Sequence, residues 1–383
     1  MSFFNRYFCF VHLQKLSIVN FKNYEQAELE FSEDINCFVG NNGEGKTNML
    51  DAIYYLSFTK SFFNPIDSQN ILHDAPFFVV QGEFASGKKV ESIYCGIKKG
   101  EKKQFKRNKK LYKKLAEHIG LLPLVMISPA DSELITEGSE VRRKFVDGVI
   151  SQYNKQYLEN LLNYNKVLAH RNALLKHFAE TRSFDATSIE VWDNRLVEFG
   201  QPIHTERKKF IEDFIPIFQR YFEEISQGNE KVSLEYNSQI NDDSFMQLLI
   251  ANSAKDRARQ HTSVGIHKDD LVFKLGGSAS PTTSGFAMKK FGSQGQQKTY
   301  LLALKLAKFE YIKSIKKLTP LLLLDDIFDK LDALRAKALM ELVSRNGFGQ
   351  IFITDTNEQR ITELLKEIGK DFSIFRINNG KVK

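Results

Sequence analysis

Cysteine is scarce in this chain of 383 residues: Cys9, Cys37 and Cys95 stand apart, at spacings that form neither a disulfide framework nor a metal set. They read as reduced structural thiols of a cytoplasmic protein. Long apolar runs are missing too. None comes near the roughly 18 residues needed to cross a bilayer, so neither a membrane span nor a membrane partner is expected. The apolar residues 1–11 have too short a core and no small-residue cleavage site for a signal peptide, and translation is expected to start near Val11 from a non-standard codon. No internal repeat is evident. No Cys/His spacing suits a metal around His267, so His267-Lys268-Asp269-Asp270 reads as a structural or interface turn.

What is present suits a globular protein: 42% hydrophobic and 26% charged residues, in a chain long enough for two or three lobes and a large core. Charge is unevenly spread. Residues 98–114 hold ten lysines and arginines against the single acid Glu101, so this segment outweighs the net +7 of the whole chain. Such runs most often mark a solvated face. Here Phe105, Leu111, Tyr112 and Leu115 interleave the charges, and Arg107-Asn108-Lys109-Lys110 reads as a hairpin turn. That pattern suits an ordered ridge facing a polyanion such as the DNA backbone. The candidate contacts are Lys102, Lys103, Lys106, Arg107, Lys109 and Lys110.

The most specific signal is Gly40-Asn41-Asn42-Gly43-Glu44-Gly45-Lys46-Thr47, a complete G-x-x-x-x-G-K-[ST] phosphate loop. Residues 34–39 before it read as a buried strand, and Met49, Leu50, Ile53 and Leu56 after it have helical spacing. The glycines let successive N–H groups face phosphate oxygens at the positive end of that helix. Lys46 is expected to reach the β- and γ-phosphates of a nucleoside triphosphate, and the Thr47 hydroxyl to hold Mg²⁺.

Two further elements fit the same chemistry. Leu321-Leu322-Leu323-Leu324-Asp325-Asp326 reads as a central buried strand ending in paired carboxylates, where open α/β sheets place ligands. Asp325 is expected to bind Mg²⁺, directly or through water, and Asp326 to orient or deprotonate an attacking water. Ser293-Gln294-Gly295-Gln296 opens a strong helix and offers a hydroxyl and backbone N–H groups to an anion. Alone it is an ordinary capped helix. In a chain that already owns a phosphate loop, it can complete the ATP site of a partner copy.

Strands are expected at 12–21, 27–31, 77–84, 90–97, 124–127 and 350–353, the first two as an antiparallel hairpin. The middle turns helical. Apolar residues recur at 153, 157, 161, 164, 168 and 175, and again from 189 to 225, where Pro202 and Pro216 are expected to kink or divide the second helix. These segments predict an antiparallel arm of roughly 45 Å. Strands return at 231–236 and 270–275 around a helix at 244–259, and 276–285 is a loop by composition.

The order of phosphate loop, Ser293-Gln294-Gly295-Gln296, the strand at 321–326 and Leu331-Asp332 resembles the ABC-type ATPases. With so short an arm the chain is similar to the RecF family, within the RecF/SMC/Rad50 group. The resemblance covers nearly the whole chain, through Asn20-Phe21-Lys22-Asn23-Tyr24, Ser128-Pro129-Ala130-Asp131, Arg142-Arg143-Lys144-Phe145-Val146-Asp147 and Gly265-Ile266-His267-Lys268-Asp269-Asp270-Leu271. It implies an α/β fold: an ABC-type P-loop ATPase head with mixed sheets (lobe I) and an inserted, mainly helical lobe with a short antiparallel arm (lobe II). Lobe I would comprise 12–128 and 263–383, and lobe II 129–262.

Residue by residue, the resemblance makes 40–47 the Walker A loop, with Lys22 and Asn23 also against the nucleotide. Ser293, Gly295 and Gln296 carry the signature, Asp325 and Asp326 are the Walker B acids, and Asp329-Lys330-Leu331-Asp332 is the D-loop at a dimer seam. It further implies a slow, DNA-stimulated ATPase that dimerises around ATP and Mg²⁺ and binds double-stranded and gapped or single-stranded DNA. RecR and RecO would be its partners. Its role would lie in DNA replication and in the SOS response to DNA damage, helping to load a recombinase on single strands.

This chain departs from the family pattern in two places. The D-loop has Asp329-Lys330 where Ser-Glu is frequent, and an Arg-rich stretch after the first helix is replaced by Thr59-Lys60-Ser61-Phe62-Phe63-Asn64. After the strand at 350–353, Thr354-Asp355-Thr356 stands where transporter-type relatives carry a switch histidine, which argues against the alternative of a transporter ATPase subunit. A chromosome-maintenance or Rad50-like motor is the other alternative, and the long sustained heptads it needs are missing.

Overall fold

The computed structural model describes residues 9–87, 89–228, 230–240, 244–276, 285–328, 333–344, 347–369 and 371–383. The expected D-loop at 329–332, most of the loop at 276–285 and residues 1–8 lie outside the described residues. The chain divides into two units, one of residues 1–131, 221–228 and 298–383, the other of 132–220 and 229–297. Ser293 to Gln296 group with the second unit.

In the first unit, the strand Ile35–Val39 is buried along its whole length, which demands cover on both faces. It lies inside a sheet ordered Lys381–Val382, Phe372–Asn378, Ile35–Val39, Ile351–Asp355, Leu321–Leu324, Leu124–Ile127. Every pairing among these is parallel except the terminal hairpin. Parallel pairing sends Val39, Leu324 and Asp355 out on one edge, so the phosphate loop, Asp325 and Thr354 gather at the carboxyl ends of neighbouring strands.

The helix Lys46–Phe58 buries Met49, Leu50, Ile53 and Leu56, as the spacing predicts, and also Asp51, Tyr55 and Ser57. A helix buried nearly all round needs a layer on each side. Its apolar residues join one core with Phe38, Leu323 and Phe352 of the parallel sheet and Leu16, Ile18, Val80 and Ile93 of a second sheet.

That second sheet has seven strands among the described residues and is antiparallel apart from Leu318–Thr319. The strands Cys9–Phe21 and Tyr24–Glu30 form the expected hairpin, Phe21 facing Tyr24 across Lys22-Asn23. Beyond them come Phe77–Ser86, Lys89–Lys98, Gln104–Arg107 and Lys110–Leu111. The basic segment is thus ordered sheet. Asn108 and Lys109 make its turn with φ of 49° and 68°.

The second unit is built on two long helices, Lys155–Thr181 and Ala186–Ser226, the latter as far as Arg220. At 27 and 41 residues they span about 40 and 60 Å. Phe178 meets Phe184, His170 stacks on Trp192, Arg171 pairs with Asp193, and Arg207 bonds Tyr157. Numbers falling on one helix as they rise on the other establish the antiparallel arm. Pro202 and Pro216 do not divide the second helix, which is continuous through both. The fully buried Ile203, Phe210, Phe214 and Phe218 on either side hold it together by packing, which outweighs one lost hydrogen bond per proline.

The apolar stripes of the arm each skip one turn, and a buried arginine fills each gap. Arg171 is fully buried on Asp193, Asp256 and Thr262. Arg207 lies among Asp147, Asp269, Tyr157 and the Ile266 carbonyl. The expected helix at 244–259 is two, Phe245–Ala251 and Ser253–Arg259, broken where the Asn252 side chain bonds the Leu248 carbonyl. The strands Val232–Asn237, Asp270–Leu275 and Phe286–Ala287 complete the unit.

Candidate functional site

The phosphate loop owes its shape to its glycines and to clamps around it. Gly45 has φ 115°, open to glycine alone, and a Cβ there would stand 2.4 Å from Asn23 Nδ2. Asn23 Nδ2 donates to the Glu44 carbonyl at 2.9 Å, and the Tyr24 hydroxyl to the Gly45 carbonyl at 3.0 Å. Asn48 Nδ2 donates to Asn23 Oδ1 at 2.8 Å, which orients the amide that makes the first bond. From the C-terminal hairpin, Gly380 N donates to the Glu44 carbonyl at 3.0 Å and Asn379 N to the Glu44 carboxylate. With its carbonyls held by the protein, the loop is preorganised for an anion.

Lys46 is buried, and its ammonium donates to the carbonyls of Gly40 and Asn41 at 2.7 and 2.8 Å. Asp325, only 3% exposed, accepts two hydroxyls on one oxygen: Thr47 Oγ1 at 2.8 Å and Thr354 Oγ1 at 2.9 Å. Burial pushes the Asp325 carboxyl above its usual range, and these hydroxyls together with Lys46 act against that rise. Asp326 follows with φ 48°, a conformation that costs a side-chain-bearing residue on the order of 1 kcal/mol. Its N–H donates to Thr354 Oγ1 at 2.8 Å. Thr354 therefore bridges both acids. Sequence reading marked this position only by a missing histidine, and the sole further signal was its place at the end of a buried strand.

Lys22 goes elsewhere. Its ammonium lies 2.6 Å from the fully buried Asp51, which also accepts from Ser61 Oγ and Phe62 N. Of the expected Lys22 and Asn23 pair, the structure brings only Asn23 to the loop.

In the second unit, Ser293 and Gln296 form a reciprocal capping box. Gln296 N donates to Ser293 Oγ at 3.2 Å, and Ser293 N donates to Gln296 Oε1 at 2.7 Å. Gln296 Nε2 also donates to Glu230 at 2.9 Å. The Ser293 hydroxyl accepts here, so its proton is still available to donate, on an exposed residue.

The basic ridge splits in two. Lys103 is held by Asp67 at 2.7 Å and the Thr59 carbonyl at 2.7 Å, and Arg107 makes a bidentate pair with Glu91 at 2.8 and 2.6 Å. Lys102, Lys109 and Lys110 are exposed, and the Lys106 ammonium lies 4.9 Å from the Tyr94 ring centre. His267 is a structural residue: Nε2 donates to the Thr262 carbonyl at 3.1 Å, which makes Nδ1 the acceptor for the Tyr164 hydroxyl at 2.8 Å.

The family model described as the RecF/RecN/SMC N-terminal domain matches residues 12–380. The chain belongs to the RecF family. It is 50% identical over 372 residues to the DNA replication and repair protein RecF of Phocaeicola vulgatus, covering 97% of each chain. It is 48% identical over 367 residues to the RecF of Flavobacterium johnsoniae, covering 96% of this chain and all of that one. Among solved structures it is similar to one described as the recombination mediator protein RecF-ATP in the RecFOR pathway, with a TM-score of 0.87, 30% identity and 100% and 99% of the two chains covered. An Smc head domain from Pyrococcus furiosus, at 16% identity and a TM-score of 0.57 over 97% of this chain and 95% of that one, shares the fold. The architecture is that of an ABC-type ATPase head, with mixed sheets and a helical insertion.

Proposed function

We propose that this protein is an ATP-operated DNA-binding switch of recombinational repair and replication-gap processing. The observation that carries it is the 2.8 Å bond from Thr47 to Asp325, which joins the phosphate loop to the acid-bearing strand at one point. The phosphate loop cradles the triphosphate, Lys46 leaves the Gly40 and Asn41 carbonyls for phosphate oxygens, and Asp326 orients or deprotonates the attacking water. Two hard oxygen donors in contact, one a carboxylate whose burial is costly, suit Mg²⁺, so Thr47 and Asp325 would hold it. Bound there, it supplies positive charge to the phosphates. A solved relative described with ATP supports the nucleotide.

Two copies close around two nucleotides, each lending the Ser293 hydroxyl and the Gly295 N–H to the triphosphate on the other's Lys46. Closure aligns the basic ridges on DNA, and slow hydrolysis, stimulated by DNA, releases them. The RecFOR pathway in which the solved relative is placed supports RecR and RecO as partners. With them, in the cytoplasm, the protein would help to load a recombinase on single strands. Light scattering with and without ATP tests the switch. Lys46→Ala abolishes nucleotide binding and dimerisation, whereas Ser293→Arg keeps monomer binding and abolishes dimerisation. Dimers of Lys46→Ala formed with ATP would refute the mechanism.

A further inference from the structure

One face of the antiparallel sheet carries its charge in two halves. Across Tyr24–Glu30, Cys9–Phe21 and Phe77–Ser86, the outward residues Glu28, Glu30 and Glu83, with Lys15, line an acidic hollow. Across Phe77–Ser86, Lys89–Lys98 and Gln104–Arg107 the same face becomes basic and aromatic. There Phe77 pairs with Lys98, Val79 with Gly96, Gly96 with Gln104 and Tyr94 with Lys106.

All of these except Lys106, together with Glu101 and Lys102, line a second hollow of about 230 Å³. Its floor is Val79 and Gly96. A Cβ on Gly96 would stand 2.6 Å from the Tyr94 hydroxyl, so the tyrosine ring lies along the strand over the glycine. Phe77 stands 37% exposed at the other side. The Gln104 side chain offers an amide at the rim, Lys102 is exposed, and Lys98 is paired with Glu101 at 2.6 Å.

We propose that this hollow holds an unpaired base of a single strand, stacked against Tyr94 and Phe77, the Lys106 ammonium leaving its place 4.9 Å from the Tyr94 ring centre for one flanking phosphate and Lys102 taking the other. The reasons are size and charge. A hollow this small excludes a duplex but accepts one flat heterocycle, and aromatic faces beside lysines are what an anionic chain of bases recognises without regard to sequence. The Gln104 amide can both donate to and accept from a base edge. The acidic half repels phosphate, which confines the strand to the basic half. This assignment rests on reading the chain as a DNA-binding protein, and it adds to the phosphate ridge a site specific to unpaired bases.

The test uses the full chain, a fluorescent 20-mer of thymidine and a blunt duplex, compared by anisotropy at one salt concentration. Tyr94→Ala and Phe77→Ala each weaken binding of the single strand by about 10-fold, within the range that base–aromatic stacking spans. Duplex binding and ATP-dependent dimerisation stay unchanged, and Tyr94→Phe restores the single-strand affinity. Single-strand binding equal to that of the native protein in the Tyr94→Ala, Phe77→Ala double variant would overturn the assignment. So would an equal loss on both DNAs, or polyglutamate displacing the oligonucleotide through the same two residues, which would mark an acidic-peptide surface. If the native chain binds neither DNA, the broader functional reading falls instead.

Discussion

Thr47 and Asp325 are 278 positions apart in the chain, yet the threonine hydroxyl donates to the aspartate at 2.8 Å. One opens the helix after the phosphate loop, and the other follows a strand that pairs with the threonine-bearing strand Ile351–Asp355. If both act on one Mg²⁺ ion, their effects are not independent. Thr47→Ala and Asp325→Asn should each lower Mg²⁺-dependent nucleotide affinity at least about tenfold, and the double variant should be little worse than the worse single one. Titration with a fluorescent ATP analogue, with Mg²⁺ and with chelator, measures this. Additive losses would mean separate roles.

Thr354→Val removes the hydroxyl that donates to Asp325 and accepts from Asp326 N–H. Losing these two hydrogen bonds should cost about 1–3 kcal/mol of stability. Because Asp326 is released from its left-handed conformation, turnover should fall while nucleotide affinity changes little. Steady-state ATPase assays separating kcat from KM, beside urea melts, distinguish the two effects.

The split ridge makes two classes of lysine and arginine. Replacing Lys102, Lys106, Lys109 and Lys110 with Glu should weaken duplex binding and flatten its salt dependence, by up to about 0.9 in log–log slope for each phosphate no longer neutralised. Lys103→Ala should act on the fold instead. It leaves Asp67 with the Tyr55 hydroxyl as its remaining partner, so a lower Tm with little change in salt slope is expected. Anisotropy at several salt concentrations and thermal melts check both.

Two histidines, His118 buried and His267 half-buried, should make the protein sensitive to acid. Burial lowers His118 and His267 from 6.5 to about 4. His118 Nε2 donates to the Leu56 carbonyl at 2.7 Å, and Nδ1 accepts from the Tyr112 hydroxyl at 3.1 Å, so the neutral ring ties the basic hairpin to the helix Lys46–Phe58. Between pH 4 and 6.5 the unfolded chain binds protons that the folded one refuses. Stability is therefore full above pH 6.5 and is lost as pH falls toward 4. From pH 7 to pH 5 each histidine should cost about 2 kcal/mol, and His118→Gln should shrink that drop by about its share in urea melts at the two pH values.

Much of this was legible beforehand because it is local. The phosphate loop needs glycines at fixed offsets, a buried parallel strand needs a continuous apolar run, and a capping box needs Ser and Gln three apart. Residues 40–47, the strand Leu321–Leu324 and the helix start at Ser293 follow from such short-range rules. Arg171 and Arg207 show the opposite case. At a gap in an apolar stripe, sequence reading expects solvent, but the fold supplies Asp193 and Asp256 to one and Asp147 and Asp269 to the other.

The sequence by itself determined that this chain carries a nucleotide loop, a pair of acids after a buried strand and a ridge of positive charge. Only the tertiary structure decided which charges are left for a ligand. Lys22 went to Asp51, Lys103 to Asp67 and Arg107 to Glu91, while Thr354 was brought between the two acids. The physical reason is range. Backbone sterics and helix capping act over a few residues, whereas an ion pair or a shared hydroxyl depends on a through-space distance set by how distant strands and helices pack.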